Sequence, residues 1–247
     1  MVKQNNYIKR ISRELYNECI NNTNAIKAIA MLIYIKENNK CSVIKKFTYK
    51  RLSIITGLTV YSTKKRMHTL KGMGLYDRIN DGNDIIFKKI RAKISNVRLD
   101  KIDMSSIKSI ETGLRALYIV EVQRRKDYVK SAVELTNKVH NGKEYKKALK
   151  ERNRVLRGAC KYTDNGISYN YLAKKMNISK KTVSEAIKYG VRNKMFEKEY
   201  NYNLIKTFDN KNDEICAFNY FKGQKCKIIM SGLSLFYVAA NLYSVLN

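Results

Sequence analysis

The stretch from Thr48 to Ile90, TYKRLSIITGLTVYSTKKRMHTLKGMGLYDRINDGNDIIFKKI, decides the fold. Thr48 suits the cap of a short helix over 49–56, because its hydroxyl can accept an otherwise orphaned backbone N–H. Gly57 permits the left-handed backbone of a sharp turn. Thr59 then caps a second helix over 60–71, which Gly72 and Gly74 stop. The segments LYDRI and DIIFKKI flank Asn80-Asp81-Gly82-Asn83. Asp-Gly accepts positive φ and closes a tight hairpin. Helix, turn, helix and hairpin are expected in that order.

A second stretch, NGISYNYLAKKMNISKKTVSEAIKYGVRNKMFEKEYNYNLIKTF (165–208), superposes on the first without a gap at an offset of 120. Tyr49 falls on Tyr169, Leu52 on Leu172, Ser53 on Ala173, Gly57 on Asn177, Leu58 on Ile178, Thr59 on Ser179 and Met67 on Ile187. Each match has a physical job. A small residue at 53 or 173 lets the two helices cross closely. Gly57 or Asn177 supplies the left-handed turn. Leu58 or Ile178 plugs the space between the helices, and Thr59 or Ser179 caps the second of them. Thr63 and Met67, like Val183 and Ile187, point inward. Ser168 is expected to cap the short helix, a helix to run over 180–193, and MFEKEYNYNLIKTF to fold back as a hairpin about Asn201–Asn203.

This pattern resembles the helix-turn-helix family, and with the hairpins it is similar to winged helix-turn-helix proteins. Ala173, Asn177, Ile178, Ser179, Val183 and Ser184 reproduce the family's A-x3-[G/N]-[V/I]-S-x3-[V/I]-S spacing; Ser53 and Thr63 give the first copy a softer core. The resemblance covers about 45–90 and 145–208. It implies that the second helix of each pair enters the major groove and meets base edges with its outward residues. Those residues are Val60, Tyr61, Ser62, Lys64, Lys65 and His68 in the first copy, and Lys180, Lys181, Thr182, Ser184, Glu185 and Lys188 in the second. Lys can donate to guanine acceptors, Ser and Thr serve either role, and Glu185 can accept from cytosine. Glu185 reads equally well as a helix partner of Lys181 or Lys188, and His68 as a partly buried ring. Arg78, Lys88 and Lys89 on the hairpin suit phosphates or the minor groove. The 18 tyrosines read as core and strand packing more readily than as a base-stacking platform.

Outward from these stretches, residues 1–23 read as a short helix or an arm, and Asn24 as the cap of a buried helix over 24–38. CSVIKKF reads as a loop and 91–103 as a basic connector. Helical spacing runs from Ile107 to Val139, and KEYKKALKERNRVLRGAC reads as a basic helix. EICAFNYFKGQKCKIIM alternates like a strand pair about Lys222-Gly223, and LSLFYVAANLYSVLN has helical spacing. The expected fold class is α+β and mainly helical, with two winged helix-turn-helix units joined by a long helical connector. The domains follow in order: 1–91, an N-terminal winged unit; 92–142, the connector; 143–247, a C-terminal winged unit with a strand pair and an apolar C-terminal helix.

Charge names the partner. The chain carries 50 Lys+Arg against 21 Asp+Glu, a formal net charge of +29, far beyond what a compact fold needs, and it fits a polyanion whose counterions are released on binding. Five widely spaced cysteines (Cys19, Cys41, Cys160, Cys216, Cys226) form no zinc knuckle or redox pair. They point to a reducing, cytoplasmic setting, that of a bacterial host if the gene belongs to a phage or plasmid. The start MVKQNNYIKR is not expected to act as a secretory signal. No metal or other cofactor is expected. No phosphate loop, nucleophile elbow or carboxylate cluster suggests an enzyme. Double-stranded DNA is the expected partner, a homodimer through the connector or the C-terminal helix is a further one, and a membrane is disfavoured. The leading function is a transcription regulator of a phage or mobile element. The 120-residue repeat also resembles the layout of plasmid and phage replication initiators. A coating protein that binds nucleic acid by charge alone is the remaining alternative.

Overall fold

Capping chemistry sets most of the helix ends. The computed structural model describes residues 8–39, 42–138, 146–147, 149–150, 166–200, 202–207, 209–212, 215, 228–238 and 241–246. It is a mixed α+β fold with small sheets. The described residues divide into two compact units, one of Met1–Ile119 with Leu172–Met195 and one of Val120–Tyr171 with Phe196–Asn247.

In the first unit, β1 (Arg10–Ser12) leads into α1 (Arg13–Ile20) and α2 (Thr23–Asn39). Asn22, not Asn24, begins α2: its Oδ1 accepts from the N–H groups of Asn24 and Ala25 at 3.0 and 3.1 Å. Ala25, Ile26, Ala28 and the run Ile29–Ile33 are all buried. A helix apolar nearly all round belongs in the middle of a core, and α2 packs against α1, α3 (Tyr49–Thr56) and α4 (Val60–Gly72). Lys36, near its end, is 4% exposed, and its ammonium donates to Ser42 Oγ and the Phe87 carbonyl.

The hairpin of β3 (Tyr76–Ile79) and β4 (Asp84–Phe87) forms where Asp81-Gly82 places it. Asn80, Asp81 and Gly82 all have positive φ, and Asn80 Nδ2 donates to Asp84. The segment read as a loop contributes a strand, β2 (Val43–Ile44), which makes the order β2-β4-β3. The connector is likewise not irregular throughout: β5 (Asn96–Arg98) pairs antiparallel with β1, setting Ile11 opposite Val97, both buried. The long helix α5 runs from Ile107 to Lys138.

The second helix pair is α6 (Tyr169–Met176) and α7 (Lys180–Arg192). Adding 120 to the bounds of α3, α4 and β3 gives the bounds of α6, α7 and β6 (Phe196–Glu199). The details recur as well. Thr59 and Ser179 accept from Ser62 N and Thr182 N at 3.1 and 3.2 Å. Thr48 and Ser168 accept from Arg51 N and Tyr171 N, both at 3.1 Å. Gly57 and Asn177 are both left-handed, with φ of 65° and 51°, and so are Gly74 and Lys194. Leu52, Thr63, Met67 and Leu75 are buried in one copy, and Leu172, Val183, Ile187 and Met195 in the other.

The copies part after β6. Its expected hairpin partner, β7 (Tyr202–Thr207), pairs instead with β9 (Ser234–Val238) in a sheet ordered β7-β9-β8, where β8 is Ile228–Ser231. β6 itself pairs with β10 (Leu242–Val245). The expected hairpin about Asn201–Asn203 is therefore corrected. Only Tyr200 and Asn201 separate β6 from β7, and a two-residue loop requires positive φ that a tyrosine resists. The apolar C-terminal helix is corrected too: the described part of LSLFYVAANLYSVLN is strand. Gly232, with φ of 64°, turns β8 into β9, and aromatic and β-branched residues pack well on a pleated surface. Phe196 and Tyr243 meet edge to face at 5.3 Å. Most of KEYKKALKERNRVLRGAC and the strand pair about Lys222-Gly223 lie outside the described residues.

Candidate nucleic-acid interface

On an α-helix each residue turns about 100°. The buried residues of α4 (Thr63, Met67, Leu70) and of α7 (Val183, Ala186, Ile187, Gly190) claim one side. The exposed residues of α4 are Val60, Tyr61, Lys64, Lys65, His68 and Lys71, with Gly72 at its end. Those of α7 are Lys180, Lys181, Glu185, Lys188, Val191 and Arg192. Each set spans an arc of about 140°. Tyr61 is 77% exposed, an unusual position for a large ring with no structural duty.

Most expected groove residues stand on these arcs. Ser184 lies within the second arc but half-buried. Ser62 and Thr182 do not stand outward. Their hydroxyls bond the cap hydroxyls of Thr59 and Ser179, each at 3.0 Å, because position N3 of a capped helix turns back toward the cap. His68 is exposed, not partly buried. Among the described residues Glu185 forms no ion pair with Lys181 or Lys188.

On the hairpin, the Arg78 guanidinium lies over the Phe47 ring at 5.6 Å. Lys88 pairs with Asp77 at 3.2 Å, both about half exposed, a contact worth little in water. Lys89 is exposed.

Three kinds of residue escaped the sequence reading. Lys71, Val191 and Arg192 extend the arcs toward the helix C-termini, beyond the family spacing. The loop after β4 presents exposed Arg91 and Lys93 beside Ile94, which is 85% exposed. Asn96 holds that loop, accepting from Ala92 N and donating to Ala92 O, both at 2.9 Å. No sequence signal marked it, since the restraint comes from one side chain four residues away.

The third is Tyr189, on α7 at the edge of the buried side. It is 5% exposed, and its oxygen accepts from Asp103 N at 2.7 Å. Burial pushes its hydroxyl above the usual range. Burial would also raise the Asp103 carboxyl, but hydrogen bonds from Ser109 and Ser105 outweigh it and hold that group below the usual carboxylate range. Gly113 makes room for this contact: a Cβ there would lie 2.9 Å from Ile102 and 3.1 Å from the Tyr189 oxygen. The first copy has Thr69 at the matching place, so the anchor is peculiar to α7. Tyr189→Phe removes the acceptor and leaves a part-buried N–H unpaired. It is expected to destabilise the chain by about 1–2 kcal/mol in urea titration; a change within error would show that the bond contributes nothing.

Among the described residues no three His, Cys, Asp or Glu side chains gather as a metal site, and no helix is long and apolar enough to cross a membrane. The buried Cys19 thiol is pushed up to about 12 by burial, with the Glu18 charge adding to the effect. Comparison with protein-family models, with curated proteins and with solved structures finds no match for this chain.

Proposed function

We propose that this chain is a sequence-specific double-stranded DNA-binding protein of the winged helix-turn-helix kind, acting as a transcription regulator in the cytoplasm. The observation that carries the reading is the recurrence, 120 residues apart, of a capped helix, a left-handed turn and a second capped helix whose exposed arc carries at least three basic side chains in each copy. The strand order β2-β4-β3 behind the first pair supports a wing there. The second copy forms the matching strand, β6, but pairs it with β10, so its wing is of a different build.

In this mechanism α4 and α7 each enter a major groove. Lys64, Lys181 and Lys188 donate to guanine edges or phosphates, and Glu185 accepts from cytosine. Arg78 and Lys89 grip the flanking backbone. The chain's net charge of +29 supplies the sequence-independent attraction. The tandem copies also favour a second reading, a replication initiator that binds repeated sites.

Selection from a random duplex library at roughly 150 mM salt, where phosphate attraction is damped, tests the proposal. One enriched motif is expected, lost from the variant Lys181→Ala with Ser184→Ala. Repeats of that motif at fixed spacing would favour the initiator. Binding without enrichment that fades steeply with salt would overturn base readout and leave a coating protein.

A further inference from the structure

The first unit contains a cleft of about 380 Å³ where α2, α4, α5 and α7 converge. Lys27, Arg66, Lys108 and Arg115 line it against only two carboxylates, Glu111 and Glu185. Arg115 is 5% exposed; its Nη1 meets Glu111 Oε1 at 2.7 Å, while its Nε is buried with no hydrogen-bond partner. The guanidinium charge is paired, but a buried N–H left without an acceptor is costly and calls for an explanation. The Arg66 guanidinium is held in place by donating to the Lys27 carbonyl at 3.0 Å. With Glu111 paired to Arg115, the remaining charged lining is Lys27, Arg66 and Lys108 against Glu185, a positive balance. The volume falls within the range of small-ligand sites.

We propose that this cleft binds a phosphate group, gripped by Arg66, Lys108 and Arg115. Guanidinium donors fit the oxygens of a tetrahedral oxyanion in pairs, and the Lys108 ammonium adds a point charge. The group belongs either to a free ester no larger than a mononucleotide or to the backbone of bound DNA. Because Thr182 and Glu185 of α7 line the same cleft as Arg66 of α4, occupancy ties the two helices together. The inference stands without the DNA-binding reading, since it rests on the cleft alone.

Thermal melting of the full chain tests it, with inorganic phosphate against chloride at matched ionic strength and pH. A site of millimolar affinity filled tenfold is expected to raise Tm by about 3 °C. The rise should vanish in Arg66→Gln and, as a variant altered only at an exposed side chain, in Lys108→Ala. A larger rise with adenosine monophosphate than with phosphate, retained beside saturating duplex DNA, assigns the site to a free ester. A phosphate effect abolished by duplex DNA assigns it to the backbone. Equal melting in phosphate and chloride, or a rise that survives Lys108→Ala with Arg66→Gln, overturns the proposal.

Discussion

Reversing the charge at Lys181 and Lys188 is expected to weaken binding to the selected DNA site about a hundredfold or more at roughly 150 mM salt. Both side chains are exposed on the same arc of α7. Each well-placed base contact is worth about 1–3 kcal/mol of discrimination, so two together reach that range. Fluorescence anisotropy with labelled duplex measures it. The informative control is Lys9→Glu with Lys211→Glu, which removes the same charge from exposed positions off both helices. If the control pair weakens binding equally, the interaction follows net charge and α7 has no special place in it. Salt dependence separates the roles further. Loss of two phosphate contacts makes the slope of log K against log salt shallower by about 1.8, whereas loss of base contacts leaves the slope unchanged.

Local chemistry was legible and long-range pairing was not. Thr48, Thr59, Ser168 and Ser179 cap where their hydroxyls predict, because a cap depends on atoms within three residues. Gly57 and Asn177 turn left-handed for reasons internal to each residue. The β3–β4 hairpin was readable because Asn80-Asp81-Gly82 carries its own turn. By contrast, the pairing of β6 with β10 joins residues more than 40 apart, and nothing in either strand names the other. The tail misled because LSLFYVAANLYSVLN satisfies both a period of 3.6 and a period of 2; its partners decide between them. The cap of α2 was misplaced by two residues because Asn22 and Asn24 are the same side chain in similar settings.

The candidate interface shows the same division. Exposure of Lys64, Lys65, Lys181 and Lys188 follows from helical phase alone. The inward turn of Ser62 and Thr182 required seeing that position N3 serves the cap. Tyr189 could not be singled out, since its value lies in the amide of Asp103, 86 residues away. Its burial fixes one edge of α7 while the exposed arc stays in water.

Phe196→Ala is expected to cost about 3–5 kcal/mol, the range for deleting a fully buried aromatic side chain. Phe196 is 1% exposed and opens β6 directly after the turn that ends α7. Its ring meets Tyr243 of β10 at 5.3 Å and near a right angle, so the loss should be shared with that strand. Such a pair contributes about 0.5–1.5 kcal/mol beyond burial, and a double-mutant cycle with Tyr243→Ala in urea titration should recover that coupling. The matching pair in the first copy, Tyr76 and Phe87, is also edge to face, at 6.2 Å, but there the two rings come from one hairpin. If Phe196→Ala and Tyr243→Ala prove strictly additive, the ring contact between β6 and β10 contributes nothing to stability. If they couple, β10 stabilises β6 through side chains as well as backbone pairing, as β4 does for β3 in the first copy.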